Sequence, residues 1–179
     1  MCEITLSAWK PGCMDISGIR NLYVISKESR IEVGISYAIS NGAVTITGAG
    51  GTSYLLKPVQ NSFSVTNPVT ASGDSNSLFY EQTISGILHN SSAATNYLVE
   101  EINKGRTEWL VEYTDGTYRL FGTDTNGMQA NGGDGGASGQ AAADPKGATL
   151  SLSGQSTYIA PVLENFEDFS NAFTITEPV

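Results

Sequence analysis

Short apolar runs separated by turn residues restrict the fold of this chain more than any other feature. Asn41-Gly42 stands between two runs, 37–40 and 43–47, in which apolar and polar residues alternate. Alternation at every second residue is typical of a half-buried strand, and Asn-Gly accepts the positive φ angles of a two-residue hairpin turn. Asp115-Gly116 predicts a second hairpin for the same reason. This pattern of alternating runs joined by tight turns predicts antiparallel strands.

Further segments show strand character and bring the count to eight or more short strands. These predicted strands are 21–26, 31–35, 53–57, 62–66, 77–88, 106–113, 117–122 and 148–154. Only 92–104 has helical periodicity, with Ser91 or Ser92 as its cap and Gly105 as a left-handed stop. We therefore expect a mainly β protein: an antiparallel β-sandwich or partly closed barrel with one flanking α-helix, at about 92–104.

Three segments fall outside this pattern. We predict a polar loop tip at 69–76 and a long, flexible, Gly-rich hairpin loop at 123–146, because the latter contains too little apolar surface to fold by itself. The chain is then a single domain, 1–163, followed by a C-terminal arm, 164–179.

The charge balance restricts the partners. Asp and Glu number 18 against 9 Lys and Arg, for a net charge of −9, whereas nucleic acid and anionic membranes require a basic footprint. There is no long apolar run and no signal-peptide pattern, so we expect no membrane span and synthesis in the cytoplasm. In that compartment we expect Cys2 and Cys13 to be reduced, although the two could pair in an N-terminal hairpin.

Motifs for catalysis are incomplete. His89 is the sole histidine, so a serine hydrolase would depend on this one base, and the phosphate-loop and dinucleotide patterns fail at required positions. Glu108 and Glu112 lie four residues apart on one predicted strand, about 13 Å, which is too far for either glycosidase geometry. We interpret them as a solvated strand face. We predict that the chain is not an enzyme and holds no cofactor, with a carboxylate-based hydrolase as a further alternative.

Calcium is a second chemistry to consider. Asp124-Thr125-Asn126-Gly127 begins like an oxygen-ligand loop, and Asp134 follows among glycines. However, Met128 and Gly135 stand where the helix-loop-helix motif requires further ligands. We therefore favour a polar hairpin loop and predict no metal site.

A family resemblance covers most of the chain and is clearest from Trp109 to Leu163. Its motifs are 110–113 (Leu-Val-Glu-Tyr), Asp115-Gly116, 118–122 (Tyr-Arg-Leu-Phe-Gly), 126–128 (Asn-Gly-Met), a Gly/Ala/Ser loop, 150–154 (Leu-Ser-Leu-Ser-Gly) and 160–163 (Ala-Pro-Val-Leu). This order resembles virion structural proteins of phages and prophages of the Bacteroidetes type.

The resemblance implies a tail-tube or tail-ring subunit. Such a protein has two antiparallel sheets with a helix at the side, and six copies close into a ring that stacks into a tube. Its partners would be itself, other tail or connector proteins, and DNA only as transiting cargo. It would reside in the virion tail after synthesis in the host bacterial cytoplasm. The alternative is a head-decoration or adhesion module, a sandwich that binds capsid or surface glycan.

Two segments suit contacts between subunits: a flexible loop that orders on a neighbour, and an arm with apolar anchors. The other interpretations are a disordered insertion for the loop and a strand of the chain's own core for the tail. The predicted interface residues are Asp124, Asn126, Met128 and Asp134 in the loop, and Phe166, Phe169 and Phe173 in the arm.

Overall fold

Thirteen strands and three helices make up the described part of the chain. The computed structural model describes residues 18–59, 62–71, 78–89, 92–124, 126–137 and 147–177. The strands are β1 (Ile19–Ser26), β2 (Ser36–Ser40), β3 (Ala43–Thr47), β4 (Gly51–Leu56), β5 (Phe63–Thr66), β6 (Val69–Ala71), β7 (Leu78–Leu88), β8 (Thr107–Tyr113), β9 (Tyr118–Phe121), β10 (Gln129–Ala137), β11 (Gly147–Ser156), β12 (Val162–Leu163) and β13 (Phe173–Thr176). The helices are α1 (Lys27–Glu32), α2 (Ala93–Lys104) and α3 (Phe166–Ala172).

The strands form two sheets. The large sheet has the order β13-β4-β1-β8-β9-β12-β3-β2, and the small sheet has the order β10-β11-β7-β5, with β6 also paired to β7. Neither sheet closes into a barrel within the described residues. The predicted sandwich with a flanking helix is confirmed, and α2 is that helix.

One apolar core lies between the sheets. It is largest where β1 and β8 face β7 and β11, and α2 contributes one face to it. Its principal members are Leu22, Val24, Trp109, Val111, Ile84, Leu150, Leu152, Leu98, Val99 and Ile102.

A second core covers the opposite face of β1 and β8. Hairpin β2–β3, helix α3 and strand β13 pack there, so the two central strands are buried on both faces. Trp109 and its neighbour Leu110 point to opposite sides of β8, and both are 0% exposed. Strands buried on both faces are what a layered domain requires at its centre.

Both predicted hairpins are present. Asn41 and Gly42 have φ angles of 53° and 80°, as a primed two-residue turn requires. In the turn between β8 and β9, the Asp115 carboxylate accepts hydrogen bonds from the backbone N–H and the hydroxyl of Thr117, at 2.9 and 2.7 Å.

The predicted helix begins and ends where expected, but the geometry of its end differs. The Ser92 hydroxyl accepts a hydrogen bond from the Thr95 N–H, which is the usual N-cap contact. Gly105 ends the helix with φ −94° and ψ 175°, which is extended rather than left-handed. The predicted left-handed conformation of Gly105 is wrong, because the chain continues in an extended conformation towards strand β8, which begins at Thr107.

The predicted strand at 31–35 is wrong. Helix α1 occupies its first residues, and the Ser26 hydroxyl caps that helix. Lys27 and Arg30 are one helical turn apart and both bind Glu108. This tertiary contact outweighs the local alternation of side chains. Similarly, α3 occupies residues predicted as an arm, and 69–71 form strand β6 rather than part of a loop tip.

The Gly-rich segment 123–146 is not wholly a loop. Residues 129–137 form strand β10, which pairs with β11. A backbone ladder does not depend on large side chains, so low apolar content did not prevent pairing. Residues 138–146, 72–77, Cys2 and Cys13 lie outside the described residues. None of the described helices has the length and apolar content to cross a membrane.

Candidate functional site

Strand β10 forms one edge of the small sheet. It pairs antiparallel with β11 along one side, from Gln129 opposite Ser153 to Ala137 opposite Gly147, and β11 is its only strand partner in the described residues. Gln129, Ala130 and Asn131 are exposed. An edge strand presents backbone N–H and C=O groups that can pair with another chain. Helix α2 packs against part of this strand, so its exposed residues, 129–133, are the candidate site for assembly.

Glycines in β10 set its shape. The pairing shifts register between Ala130 and Gly132, and Gly132 and Gly133 have φ angles of 147° and 130°. A Cβ at Gly133 would lie 2.4 Å from the carbonyl oxygen of Thr149, so the glycine permits close approach to β11. The same glycines that predicted flexibility allow an irregular edge strand to form.

Loop residues before β10 include two of the predicted interface residues. The Asp124 carboxylate accepts hydrogen bonds from the backbone N–H and the hydroxyl of Thr157, at 3.0 and 3.3 Å. The backbone carbonyl of Asp124 accepts a further hydrogen bond from Lys27 Nζ. Asn126 is exposed. Asp124 is therefore engaged within the chain, whereas Asn126 is open to solvent.

The other two predicted interface residues of the loop are Met128, which directly precedes β10, and Asp134, which lies within it. Met128 is 0% exposed and belongs to the core between the sheets, so it does not offer a surface to a second subunit. Asp134 lies in β10 opposite Thr149. The structure thus brings Asn126 and Asp134 to the edge region and places Met128 inside.

The C-terminal residues pack on the chain's own large sheet. β13 lies parallel to β4, and α3 covers the second core. Phe169 and Phe173 are 0% and 2% exposed, and Phe166 is half-buried with its ring 4.8 Å from that of Tyr118. The tail is therefore part of the chain's own core, the alternative interpretation, because the face of β1 and β8 is apolar and needs a cover.

Glu108, on β8, is a buried carboxylate with two cationic partners. Its side chain is fully buried, 3.1 Å from Lys27 Nζ and 2.8 Å from Arg30 Nε, and it accepts a hydrogen bond of 2.8 Å from the Tyr37 hydroxyl. Lys27 Nζ also donates to the carbonyls of Gly122 and Asp124. The predicted solvated strand face is wrong here, because α1 and hairpin β2–β3 cover β8.

Arg30, one of the partners of Glu108, has further contacts that hold it in place. The Arg30 guanidinium lies 4.5 Å from the centre of the Tyr37 ring, and its Nη1 donates to the Ile35 carbonyl. Burial raises the pKa of Tyr37 well above its usual value of 10, and the Glu108 carboxylate raises it further. These contacts join three elements of the fold, so we interpret the network as a structural connection between α1, β2 and β8.

Glu112 is the second buried carboxylate on this strand. It is 5% exposed and accepts hydrogen bonds from Asn21 Nδ2, at 2.6 Å, and from the Tyr23 hydroxyl, at 3.4 Å, while Arg20 lies 3.4 Å away. Burial raises the pKa of Tyr23 to about 12, with the Glu112 charge adding to the rise. The prediction of a solvated face is wrong for this residue also.

Sequence reasoning missed these carboxylates as buried groups. The signal available was the cluster of two cations and a tyrosine within a dozen residues, at 27, 30 and 37, together with a distant strand, 106–113, in which acids alternate with apolar residues. Cations are expected wherever a carboxylate is buried. Their distance along the chain from Glu108 concealed the pairing.

Two of the open cavities in the described part of the chain border strand β7. One, of about 470 Å³, lies beside Lys57, Val59, Ile87 and the exposed His89. The other, of about 220 Å³, lies on the small sheet and is lined by Glu81, Asn126, Gly127, Gln129, Ser153, Gly154 and Gln155. The described residues contain no group of three or more His, Cys, Asp or Glu side chains placed to hold a metal ion.

No protein-family model matches this chain, and neither a curated protein nor a solved structure is significantly similar to it. The resemblance of residues 109–163 to phage virion proteins therefore stays a prediction, and the fold and edge geometry form the basis for a function.

Proposed function

We propose that this chain is a virion structural protein, a tail-tube or tail-ring subunit that assembles with copies of itself into rings and a tube that conducts phage DNA. The observation that carries this proposal is strand β10, a nine-residue edge strand with one strand neighbour among the described residues. A long edge is a liability in a monomer and a joint in an assembly. The resemblance of the C-terminal half adds support.

The small sheet offers two different edges. β10 forms one, and β5 and β6, which both pair with β7, form the other. Joining the first edge of one copy to the second edge of the next is a head-to-tail contact. Such contacts close into a ring when the rotation between copies permits it. In the proposed ring, the small sheets of neighbouring copies therefore join edge to edge into one continuous sheet.

The outward face of the small sheet suits a DNA conduit. Thr83, Ser85, Ser151 and Ser153 lie on the face opposite the buried Ile84 and Leu152, and Ser64 and Ser85 share a hydrogen bond there. The strands of this sheet contain no Lys or Arg. Phosphate binding relies on those cations, so a lumen lined by these hydroxyls and by the exposed Glu81 carboxylate, on the same face of β7, would let DNA pass without retaining it.

One substitution pair tests the assembly. Asn131→Lys places a cation on the exposed β10 edge, where Lys opposes strand addition. Asn103→Lys makes the same change on the exposed side of α2. We expect negative-stain microscopy of concentrated wild-type and Asn103→Lys protein to show rings or tubes, and Asn131→Lys to give only small particles.

Two other results would count against the proposal. Wild-type protein that stays as discrete small particles at high concentration would favour the head-decoration or adhesion alternative. Rings formed equally by Asn131→Lys would exclude β10 as the joint.

Labelling tests the proposed lumen. In a background with Cys2→Ser and Cys13→Ser, we expect Ser151→Cys in assembled tubes to react with a small maleimide but not with one attached to a long polyethylene glycol chain. Asn103→Cys, on α2, should react with both. Equal reaction of Ser151→Cys with the large reagent would place this face outside.

A further inference from the structure

Strand β2 forms one edge of the large sheet. All five of its residues, Ser36–Ser40, pair with β3 without a register shift, and β3 is its only strand partner among the described residues. Natural monomers protect such edges with charged side chains, proline or bulges, and β2 has none of these. This edge therefore suits the addition of another strand.

The register identifies the backbone groups of β2 that point away from β3. Ser40 and Ala43 flank the two-residue turn and so form a hydrogen-bonded pair, and such pairs alternate with non-hydrogen-bonded ones along an antiparallel ladder. The N–H and C=O groups of Tyr37 and Ile39 therefore point outward, with no backbone partner in the described part of the chain. A strand that lies along β2 can form four hydrogen bonds with these groups.

The apolar core under this hairpin is incomplete at the edge. On β3, Val44 and Ile46 are 4% and 6% exposed. Opposite them on β2, Ile39 and Tyr37 face the same core but are only partly buried. A further strand along β2 would cover Tyr37 and Ile39 as β2 covers its neighbours on β3. Burial of apolar surface would then add to the hydrogen bonds.

The absence of charge around β2 indicates which chain can bind there. Residues 33–56, which include β2, β3 and β4, contain no Asp, Glu, Lys or Arg and are the longest stretch of the sequence without them. Each copy has a net charge of −9, so two copies repel each other unless they meet through an uncharged surface. This hairpin is such a surface, so a second copy of the same chain is a suitable partner.

The sequence of β2 is nearly symmetric about its centre. Ser36 and Ser40 are identical, and Tyr37 and Ile39 are both large and apolar, with Ala38 between them. In an antiparallel pair of β2 strands centred on Ala38, Tyr37 lies opposite Ile39 of the second copy, and the two small alanine side chains face each other. An aromatic residue opposite a β-branched one stabilises a sheet, and no like charges meet.

We propose that β2 of one copy of this chain pairs antiparallel with β2 of a second copy, across a two-fold axis at Ala38. This contact goes beyond the proposed function and does not depend on it, because it uses the large sheet, whereas the proposed ring uses the edges of the small sheet. A two-fold contact is satisfied by two copies. It therefore produces a discrete dimer in which the two large sheets form one continuous sheet.

Disulfide formation tests the centre of this contact. In a background with Cys2→Ser and Cys13→Ser, the Cα atoms of two Ala38→Cys residues would be about 4.5 Å apart, as in a non-hydrogen-bonded antiparallel pair, which is within disulfide range. Thr45, exposed on the same face of β3 and directly opposite Ala38, supplies the matched control. On non-reducing gels after mild oxidation, we expect Ala38→Cys to form linked dimers at least about tenfold faster than Thr45→Cys. Equal rates would overturn the proposal.

A mixture of two variants tests the strand direction. In the proposed register Ser36 lies opposite Ser40 of the second copy, so Ser36→Cys mixed with Ser40→Cys should give a disulfide-linked dimer. Neither variant should link to itself, because two copies of the same position are separated by about 13 Å along the strands. Self-linkage of Ser36→Cys would indicate a parallel or shifted pairing and would overturn the proposal.

A charge at the axis tests the dimer in solution. With Asn131→Lys present throughout to block the β10 contact, we expect sedimentation equilibrium to show a reversible dimer. Ala38→Lys places like charges opposite each other, so the dissociation constant should rise at least about tenfold, whereas Thr45→Lys should change it by less than about twofold. Both sites are exposed, so the melting temperatures should stay the same.

The dimer and the proposed ring fail separately. Protein with Asn131→Lys that is monomeric at every concentration, for example because another part of the same chain occupies the β2 edge, would overturn the dimer and leave the ring proposal intact. Wild-type protein that dimerises through β2 but never forms rings would overturn the ring proposal and support the β2 contact.

Discussion

The Glu108 carboxylate lies inside the protein with its Oε2 atom 2.8 Å from Nε of Arg30. The two residues are on β8 and α1, far apart in sequence and joined only by the tertiary fold. Lys27, from the same helix, binds the other carboxylate oxygen. One buried acid therefore holds two cations of a six-residue helix that is too short to be stable alone.

Removing this charge should destabilise the protein strongly. Glu108→Gln keeps the size of the side chain but leaves Lys27 and Arg30 without a counterion. We expect a loss of about 3–5 kcal/mol in the free energy of unfolding, measured by urea denaturation. Glu81→Gln, at an exposed carboxylate, should change it by less than about 0.5 kcal/mol. Equal stability of the two variants would contradict a structural role for Glu108.

Alkaline pH should weaken the fold through Tyr23. Its pKa is raised to about 12 from 10.0, so the folded chain keeps a proton that the unfolded chain releases. The resulting stabilisation is complete below pH 10 and is lost as the pH rises from 10 to 12. Unfolding free energies measured across this range should fall less steeply for Tyr23→Phe than for wild type. Thr174→Ala, at an exposed position without a titrating group, should follow the wild-type slope.

The edge strand should not tolerate a side chain at Gly133. Gly133→Ala combines a φ of 130° with a Cβ 2.4 Å from the Thr149 carbonyl oxygen. We expect a loss of about 1–3 kcal/mol and faster amide hydrogen exchange in β10, because the strand must move away from β11. Gln129→Ala, at an exposed position of the same strand, should leave exchange in the rest of β10 unchanged. Unaltered exchange in Gly133→Ala would show that β10 is not held as described.

The tail should behave as part of the core in the isolated subunit. Phe169 is fully buried and its ring lies 4.9 Å from that of Phe173. Phe169→Ala should lower the unfolding free energy by about 3–5 kcal/mol at any protein concentration. Thr174→Ala, at an exposed position of β13, should have little effect. A loss that appears only at high concentration would instead indicate that Phe169 stabilises an assembly.

Local patterns predicted most elements of this fold. The turn Asn41-Gly42 and the alternation around it specify hairpin β2–β3, and Ser92 specifies the start of α2, because these signals depend on neighbouring residues alone. Helix α1 was missed for the opposite reason. Ile31, Val33 and Ile35, at its end and just beyond it, alternate as in a strand, and the contacts that hold the helix lie some eighty residues away, at Glu108.

The sequence predicted which segment forms the candidate site but did not predict that this segment is a strand. The Gly-rich segment was expected to mediate contacts, and its residues 129–137 form an edge strand whose first residues, 129–133, are exposed. The pairing with β11 was not expected, because glycine content reports conformational freedom and does not reveal a strand alongside that satisfies the backbone. For Phe169 and Phe173, hydrophobicity predicted burial without specifying whether the partner is this chain or another.

The sequence by itself determined the β class, the hairpins, the flanking helix and the low content of catalytic residue types, since each follows from local spacing or composition. Only the tertiary structure decided that Glu108 and Glu112 are buried, that the tail covers its own sheet, and that β10 is an edge. These properties depend on which distant segments become neighbours. That is settled by the burial of apolar surface over the whole chain, which no short window of sequence contains.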